Sequence, residues 1–328
     1  MKASVVVRTY NEEQYLDKLL AGIHAQDTRD IETEIVLVDS GSTDNTLKIA
    51  EKHGCRIVHI RKEEFSFGRS LNLGCQKATG DFLVFVSGHC VPVDTNWLWE
   101  LVKPLVDEVA VYSYGRQVGN EYSQFSERQL FRKYFPERSQ IPQKGFFCNN
   151  ANAALTKNVW IENPFDEELT GLEDMELAKR LVEQGRKVAY AAESSVYHLH
   201  HEKWSQVRNR YEREAIALQA IMPEVQLSVF DAFRYFVSGV LRDSGSALEE
   251  KELIKWFSRI VMFRMMQYVG SYRGNHEHRK LSSKRKHLYF YPDRERALEI
   301  DVLGTVNEQE PQRGKTDEYG SLATHEGS

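Results

Sequence analysis

Polar residues follow three apolar runs of the sequence and could together bind a ligand. Residues 9–11 (Thr-Tyr-Asn), 39–44 (Asp-Ser-Gly-Ser-Thr-Asp) and 87–89 (Ser-Gly-His) each come directly after a β-branched or apolar stretch. In an open α/β sheet, ligands bind outside the carboxyl ends of the strands. If the three apolar stretches are strands, their placement predicts one binding site built from these segments.

The residue type of Asp39 allows two interpretations, a contact with a ligand or a role in a turn. A carboxylate at the end of a strand can accept hydrogen bonds from a ribose hydroxyl or from the N–H of a base. Asp is also favoured in turns, where its side chain bonds the backbone that follows. Both interpretations of Asp39 remain open, whereas Asp44 fits a cap of the next helix better than a contact with substrate.

Acids and histidines occur further along the chain at spacings that suit a site. Glu173 and Asp174 open a predicted helix, where acids are favoured in any protein, and Thr170 is placed to form a capping box with Glu173. His198 and His200 are two residues apart, so on a strand both side chains would point to the same face. Two imidazoles could then reach one ligand.

The elements that must position these residues alternate between strand and helix. Short apolar runs predict strands at residues 3–8, 34–38, 56–60, 81–86 and 187–191. Amphipathic helical patterns lie between the first four, the first of them capped by Asn11, and helices dominate after about residue 204. Strands that are apolar on both faces and alternate with helices predict an α/β fold, with a mostly parallel sheet covered by helices.

Length and composition bound the class of protein. The chain has 328 residues, 41% hydrophobic and 28% charged, which suits one large domain with an appendage or two domains. Its net charge of −5 argues against a nucleic-acid-binding protein. No apolar run reaches the roughly 18 residues of a spanning helix, and no signal-peptide pattern opens the sequence. Four scattered cysteines without a CxxC pair favour reduced thiols and a cytoplasmic location.

The order of these motifs resembles family 2 glycosyltransferases, which have the Rossmann-like GT-A fold. Residues 4–12 (SVVVRTYNE) and 34–46 (EIVLVDSGSTDNT) resemble the opening of that family. The resemblance continues in chain order at residues 72–74, 78–81, 82–86, 149–153, 172–174 and 196–200. It covers about residues 3–205, and its specificity lies in the order and spacing of the motifs. Residues 39–44 are similar to the bacterial surface-polysaccharide branch, which includes rhamnosyltransferases.

The resemblance implies ligand contacts for two sets of residues. The nucleotide pocket would contain Thr9, Asn11, Asp39, Arg69 and Ser87. The donor sugar and the acceptor would contact Asn149, Asn150, Asn152 and Glu173. The asparagine amides suit sugar hydroxyls, although asparagine also favours turns. The guanidinium of Arg69 is available to a phosphate, with a surface salt bridge as the alternative.

The resemblance also implies an activity, with Asp174 as its catalytic base. A sugar hydroxyl is a poor nucleophile, and a carboxylate within hydrogen-bond reach can take its proton during attack. The expected reaction is inverting hexosyl transfer from a nucleotide-diphospho-sugar, of the UDP or dTDP type, to a glycan or lipid-linked acceptor. Its setting would be bacterial surface polysaccharide, such as capsule or lipopolysaccharide. The alternative is a non-catalytic nucleotide-sugar-binding or scaffold protein on the same fold.

The sequence departs from the family at the expected metal site. The family usually has Asp-x-Asp after the fourth strand, whereas residues 87–89 read Ser-Gly-His. Imidazole suits Mn²⁺ or a similar ion, and Mg²⁺ prefers oxygen ligands. Three interpretations stay open: His89 binds a divalent ion, Mn²⁺ or Mg²⁺, together with His198 or His200; basic residues neutralise the diphosphate without a metal; or the site is inactive.

The chain divides into three predicted regions. Residues 1–204 would be the GT-A domain, residues 205–292 a helical C-terminal extension, and residues 293–328 an acidic tail that is expected to be disordered. Aromatic residues and Met alternate with Lys and Arg in residues 255–266, and a basic run follows in residues 273–287. These features predict core packing or a homodimer, with peripheral contact at the cytoplasmic face of the inner membrane as the alternative.

Overall fold

The structure is a computed structural model that describes residues 1–276, and its centre is a sheet of eight strands. The strands are Lys2–Thr9 (β1), Glu32–Asp39 (β2), Arg56–His59 (β3), Phe82–Ser87 (β4), Cys90–Pro92 (β5), Tyr112–Val118 (β6), Asn152–Thr156 (β7) and Val188–His198 (β8). Their order across the sheet is β3-β2-β1-β4-β7-β6-β8-β5.

Ten α-helices of the described residues cover the sheet and extend beyond it. They are Leu16–His24 (α1), Thr46–Lys52 (α2), Phe67–Lys77 (α3), Trp97–Val106 (α4), Phe125–Tyr134 (α5), Lys157–Glu162 (α6), Glu173–Glu183 (α7), Trp204–Ile221 (α8), Val229–Glu249 (α9) and Leu253–Asn275 (α10). A short 3₁₀ turn lies at Lys62–Glu64. The last three helices follow the last strand of the sheet.

Strand directions place the ends of most strands at one edge of the sheet. β1 pairs in parallel with β2 and β4, and β2 with β3. β7 is antiparallel to both β4 and β6, and β8 is parallel to β6. The carboxyl ends of six strands, β1 to β4, β6 and β8, therefore meet the beginning of β7. We call this the carboxyl edge, and it carries Thr9, Asp39, Ser87, Asn152 and His198. The helix-covered α/β sheet confirms the fold class expected from the sequence.

The central strands are buried on both faces because alternate side chains enter different cores. In β1, Val6 packs in one core with Leu71 of α3, whereas Val5 and Val7 pack in the other with Leu19 of α1. This double burial is the physical reason for the nearly continuous apolar runs in the sequence. It also fixes the strand register and thereby the positions of the polar residues that follow each strand.

Two predicted helix caps are wrong. Asn11 does not cap α1, which begins further along the chain; its φ is 56° and its Oδ1 accepts a hydrogen bond from the Thr43 N–H at 2.8 Å. Thr170 and Glu173 form no capping box, because the Thr170 hydroxyl donates to the carbonyl of Arg213 at 3.0 Å. In both cases the side chain bonds a segment that is distant in sequence and therefore outside the local pattern.

One strand is longer than its sequence pattern indicates. The strand predicted at residues 187–191 continues to His198, since its second half pairs with β5 and β6. The helix α3 begins at Phe67, where the Ser66 hydroxyl oxygen accepts the Arg69 N–H at 3.1 Å as an N-cap. The expected cap at Asp44 is confirmed, since its Oδ1 accepts the N–H at the start of α2 at 2.9 Å.

The C-terminal helices pack against each other through residues without side chains. A Cβ on Gly270 of α10 would lie 2.3 Å from the carbonyl oxygen of Arg208 in α8, and one on Gly274 would lie 2.1 Å from that of Glu212. Only glycine allows this approach of the two backbones. In α9, the large apolar side chains opposite the packed face are exposed: Phe230, Phe233, Leu241 and Leu248.

The structure describes only part of the three regions predicted from the sequence. The division at residue 204 remains a prediction, and residues 277–292 of the proposed extension lie outside the described residues. The same is true of the tail at residues 293–328. Within residues 1–276, no helix combines the length and the apolar character needed to cross a membrane.

Candidate active site at the carboxyl edge

The carboxyl edge brings most of the predicted site residues together. Glu173, at the start of α7, reaches the edge through Arg8 of β1, whose Nη1 donates to Glu173 Oε1 at 3.3 Å. Further along the edge, His89 Nε2 lies 3.2 Å from His198 Nε2. The turn after β2 and the loop before β7 lie at the same edge, so residues from six separate segments share one side of the sheet.

Both oxygens of Asp39 are engaged by the turn that follows it. Its Oδ2 accepts the N–H of Gly41 at 2.8 Å and of Ser42 at 3.0 Å, and its Oδ1 accepts the Ser42 hydroxyl at 2.5 Å. The hydroxyl of Thr9 donates to the same Oδ1 at 3.4 Å. Asp39 is fully buried. The geometry agrees with a residue that holds the turn, and its contact with a nucleotide stays a prediction.

The other predicted nucleotide contacts are more accessible. Asn11 is exposed, and its N–H donates to the Ser42 hydroxyl at 2.9 Å, which joins the loops after β1 and β2. Ser87 is half-buried at the end of β4. Arg69 lies in the first turn of α3, and within residues 1–276 its guanidinium makes no hydrogen bond and no ion pair. The surface-salt-bridge alternative for Arg69 is therefore not seen in the described residues.

Asp174 is a buried carboxyl group with a raised pKa. Its Oδ2 accepts the N–H of Asn150 at 2.7 Å, and its Oδ1 accepts the N–H of Met175 at 2.7 Å. Burial and the negative charge of Glu173 raise the pKa of Asp174 to about 7, although the two N–H donors act in the opposite direction. A carboxyl group that titrates near neutrality can take up a proton at working pH, as a general base must.

Glu173 forms an ion pair with Arg8, a residue that no sequence motif marks as part of the site. It is buried and paired with Arg8, whose guanidinium also lies over the ring of Phe67, 5.0 Å from the centroid. Arg8 is the last but one residue of β1. An arginine at the end of an apolar run resembles an ordinary surface residue, so only the tertiary structure shows that it joins the strand ends to α7.

The loop before β7 presents two of the three predicted asparagines to the edge. Asn149 Oδ1 accepts a hydrogen bond from Gln117 Nε2 at 2.9 Å. Asn150 Oδ1 accepts the Tyr112 hydroxyl at 2.6 Å, while Asn150 Nδ2 is buried and has no partner among the described residues. An unpaired buried donor is costly, but at 1% exposure the Asn150 side chain is not open to a sugar in this conformation.

Asn152 has a different environment. Its Oδ1 accepts the indole N–H of Trp97 at 2.8 Å, and its Nδ2 donates to the carbonyls of Ser194 at 2.8 Å and Arg116 at 3.1 Å. The residue is fully buried. Each polar atom of the side chain is engaged inside the protein, so the structure places Asn152 in the core and not among the groups open to a sugar.

Three histidines form a cluster next to these loops. Their ring centroids are 5.1 Å apart for His89 and His198, 5.2 Å for His89 and His200, and 4.2 Å for His198 and His200. One ligand atom from each lies within 4.8 Å of the others. The strand β8 ends at His198, so His200 reaches the cluster from the segment beyond it. His201 is outside the cluster and bonds the Tyr15 hydroxyl.

Each ring of the cluster has an oxygen beside its Nδ1. The pairs are His89 with Glu12 Oε1 at 2.8 Å, His198 with Gln117 Oε1 at 2.6 Å and His200 with Glu127 Oε1 at 2.7 Å. An Nδ1–H donated to each oxygen leaves the Nε2 lone pairs free for a ligand. Metal-binding histidines are oriented in this way by outer carboxylates and amides. The residues present therefore fit a divalent metal ion.

The electrostatics of the cluster differ from ring to ring. Burial lowers the pKa of His89, but Glu12 outweighs it and raises that pKa, which favours the charged imidazolium. Burial and the positive charge of His200, His89 and Arg210 lower the pKa of His198, which keeps its imidazole neutral, the form that binds metal. Burial raises the pKa of Glu127, but His200 and Arg210 outweigh it and lower that pKa to about 2. A charged carboxylate therefore lies behind His200.

A cavity of about 930 Å³ lies near the cluster, although none of the three histidines is in its wall. Its wall includes Gln117, which bonds His198, and Phe131, whose ring centroid is 5.6 Å from that of His198. Basic and aromatic side chains complete the wall, among them Lys18, Arg116, Arg128, Arg132, Tyr122 and Tyr197. Such a lining suits a polar ligand with sugar rings or negative charge.

Comparison with known families identifies the class of protein. Residues 4–162 match the family model described as glycosyl transferase family 2. These residues include the strands β1 to β7 and thus most of the carboxyl edge. Residues 4–162 therefore belong to that family, and this match confirms the family and the glycosyltransferase class expected from the sequence.

Particular relatives narrow the branch of the family. The O-antigen chain rhamnosyltransferase RfbN of Salmonella typhimurium is 24% identical over 84% of this chain and 90% of its own length. The O-antigen chain rhamnosyltransferase WbaN of Salmonella anatum is 26% identical over 74% of this chain and 80% of its own. They confirm the resemblance to the bacterial surface-polysaccharide branch.

Solved structures confirm the fold. The mannosyltransferase PcManGT from Pyrobaculum calidifontis, in complex with GDP-Man and Mn²⁺, has a TM-score of 0.58 at 16% identity, over 88% of this chain and 87% of its own. Glucosyl-3-phosphoglycerate synthase from Mycobacterium tuberculosis, in complex with Mn²⁺, UDP and glucosyl-3-phosphoglycerate, has a TM-score of 0.50 at 20% identity, over 67% and 80%. At these identities the likeness concerns the fold.

Proposed function

We propose that this chain transfers a hexose from a nucleotide-diphospho-sugar with inversion at the anomeric carbon. The observation that carries the proposal is Asp174, a buried carboxyl group with a pKa of about 7 at the same edge as the histidine cluster. In one displacement, the acceptor hydroxyl oxygen bonds the anomeric carbon as the bond to the diphosphate oxygen breaks. The electron pair leaves with the diphosphate, and the hydroxyl proton passes to Asp174.

The nucleotide is proposed to lie over the turn after β2. The loops that carry Thr9, Asn11 and Asp39 are joined by the hydrogen bonds described above, which fixes their shape before a ligand arrives. Ser87 and Arg69 would approach the ribose or the phosphates. The related structures contain UDP or GDP-Man, which supports a nucleotide-sugar donor; for this chain we propose the UDP or dTDP type.

The histidine cluster is proposed to hold a divalent ion, Mn²⁺ in preference to Mg²⁺. A set of imidazole ligands suits Mn²⁺, whereas Mg²⁺ demands oxygen ligands. Such an ion, when bound, supplies positive charge to the diphosphate. His89 stands where the family has the second acid of Asp-x-Asp, so the missing acids do not imply a missing metal site. This weakens the alternative of a non-catalytic scaffold, which rested on their absence.

The acceptor is proposed to be a glycan or a lipid-linked glycan of a bacterial surface polysaccharide, such as lipopolysaccharide or capsule. The O-antigen chain rhamnosyltransferases among the relatives support this setting. The cavity beside the histidine cluster is large enough for sugar units and has aromatic and basic walls. The reaction would take place in the cytoplasm, where nucleotide sugars are made.

The exposed apolar side chains of α9 support the expected contact of the C-terminal helices with another surface. Phe230 is 82% exposed and Leu241 68%, which is unusual for residues of these types. Sedimentation with and without lipid vesicles separates the two proposed partners. Pelleting with vesicles indicates peripheral membrane contact, and a mass twice that of the chain indicates a homodimer.

A thermal-unfolding panel with UDP, dTDP, GDP and CMP, each with Mn²⁺, Mg²⁺ or EDTA, tests the proposed donor and metal. A ligand at about 100 times its dissociation constant stabilises the fold by roughly 2.7 kcal/mol, which is a readable shift. We expect a shift with UDP or dTDP that is larger with Mn²⁺ than with EDTA. The absence of a shift with every nucleotide would contradict the proposed function.

A further inference from the structure

Two arginines lie over one aromatic ring beside the proposed base. The guanidinium of Arg213, from α8, lies 4.5 Å from the ring centroid of Phe67, and that of Arg8, from β1, lies 5.0 Å from it. Phe67 is the first residue of α3. The ring thus holds two cations from distant parts of the chain at one place on the carboxyl edge.

Arg213 has no carboxylate partner within residues 1–276. Its Nε is buried without a hydrogen bond, and none of its nitrogens forms an ion pair there. Arg210, one turn earlier in α8, differs, since its Nη2 bonds Glu127 at 3.0 Å and Glu202 at 2.7 Å. Burial lowers the pKa of Arg213 by more than the nearby Glu214 and Glu202 raise it, so its charge is only partly compensated.

The position of Arg8 shows where an anion bound by this pair would lie. Within the described residues its guanidinium donates one hydrogen bond, from Nη1 to Glu173, which leaves the other nitrogens available. Arg8 also lies beside Ser87 of β4 in the sheet, and its carbonyl accepts the N–H of Gly88 at 3.2 Å. Arg8 therefore lies between the start of α7, which carries the proposed base, and the segment that carries His89.

We propose that Arg8 and Arg213 bind the diphosphate of the donor and neutralise it as it leaves. This inference rests on the proposed transfer reaction. As the bond from the anomeric carbon to the phosphate oxygen breaks, its electron pair adds negative charge to that oxygen, and the guanidinium N–H groups donate to it. Hydrogen bonds between guanidinium and phosphate are strong because both partners are charged, and a preformed pair needs no rearrangement during the reaction.

The structure around Arg213 keeps this place open. A Cβ added at Gly171 would lie 3.5 Å from Arg213 Nε, and nothing else lies within 4 Å of it. Gly171 lies two residues before the start of α7, which carries the two acids Glu173 and Asp174. The guanidinium of Arg213 thus packs on the ring of Phe67 and lies next to the uncrowded position at Gly171, close in sequence to Glu173.

Inorganic pyrophosphate tests the inference directly, because it carries the diphosphate charge without base or sugar. Binding is measured by titration calorimetry in EDTA and in Mn²⁺ with the wild type, Arg213→Gln, Arg213→Lys and Arg8→Gln. The control is Arg186→Gln, which removes a surface arginine paired with Glu162. We expect the affinity in EDTA to fall at least tenfold for Arg213→Gln, less for Arg213→Lys, and not at all for the control.

The outcomes separate this inference from the proposed function. Equal pyrophosphate affinity in the wild type and Arg213→Gln would overturn it, and so would a wild type that binds no pyrophosphate in either Mn²⁺ or EDTA. If Arg213→Gln unfolds, Arg213→Lys and Arg8→Gln still test the site. If the variants lose pyrophosphate as expected but no nucleotide sugar is ever turned over, the anion site stands and the transfer reaction fails.

Discussion

The backbone N–H of Asn150 donates a 2.7 Å hydrogen bond to Oδ2 of Asp174. This bond joins the loop before β7 to the first turn of α7, so it fixes the proposed base beside the proposed sugar-binding loop. It also favours the charged form of Asp174, against burial and the charge of Glu173. The balance of these effects leaves the carboxyl group with a pKa of about 7 and makes its protonation testable.

We expect transfer activity to depend on the protonation of Asp174. Because the base must be deprotonated, kcat/KM should rise with pH through about 7 and level off above it. Asp174→Asn should lower kcat by at least about 10²-fold and leave the affinity for the nucleotide unchanged. Steady-state rates and calorimetric titration of the nucleotide provide the two measurements. Near-normal turnover by Asp174→Asn would remove Asp174 as the base.

The same carboxyl group should make folding stability depend on pH. The pKa of Asp174 is about 7 in the folded chain and about 3.9 in an unfolded one, so the folded state binds the proton more tightly. Its contribution to stability is fully present below about pH 4 and is lost as the pH rises to about 7. Denaturant unfolding of the wild type and Asp174→Asn at several pH values measures this. From about pH 4 to about pH 7, the free energy of unfolding of the wild type should fall relative to that of Asp174→Asn. A difference between the two that stays constant with pH would contradict the raised pKa.

The half of the fold built from β1 to β4 is predictable from sequence because β1, β2 and β4 are buried on both faces, whereas β3 at the edge of the sheet is only partly buried. The apolar runs are then long enough to stand out, and the polar residues after them mark the carboxyl edge. The remaining strands are harder to recognise. β5 has only three residues, Cys90–Pro92, and β7 begins with the polar Asn152, whose amide is satisfied by the sheet itself. Their pairing depends on neighbours that are distant in sequence.

The site likewise contains residues that short sequence motifs reveal and residues that only the tertiary structure reveals. His89, His198 and Asp174 are visible as motifs, since each stands in a short pattern beside a strand or helix end. Gln117 and Glu127 are not, because they reach the histidines from β6 and α5, more than 70 residues away. Arg8 and Arg213 are hidden for the same reason, since the ring that holds them belongs to a third element.

We expect the histidine cluster to bind Mn²⁺ through His89. His89→Ala removes one of three imidazoles and should weaken Mn²⁺ binding at least tenfold, and Glu12→Gln, which alters the oxygen beside Nδ1, should weaken it less. His201→Ala is the matched control, because that ring bonds Tyr15 outside the cluster. Binding is measured by calorimetry or by the relaxation of water protons. If His89→Ala and Glu12→Gln bind Mn²⁺ as tightly as the wild type and the His201→Ala control do, this site is excluded.

The buried ion pair between α9 and α10 should be important for stability. Arg264 donates to both oxygens of Asp243 at 2.8 Å, and Asp243 is fully buried. Asp243→Asn leaves a buried guanidinium with reduced compensation, which costs about 3–5 kcal/mol when one partner of such a pair is removed. Arg234→Gln is the control on the same helix, since its exposed pair with Asp231 contributes at most about 1 kcal/mol. Denaturant unfolding should show a much larger loss for Asp243→Asn, and similar losses for both variants would mean that burial of the pair contributes little.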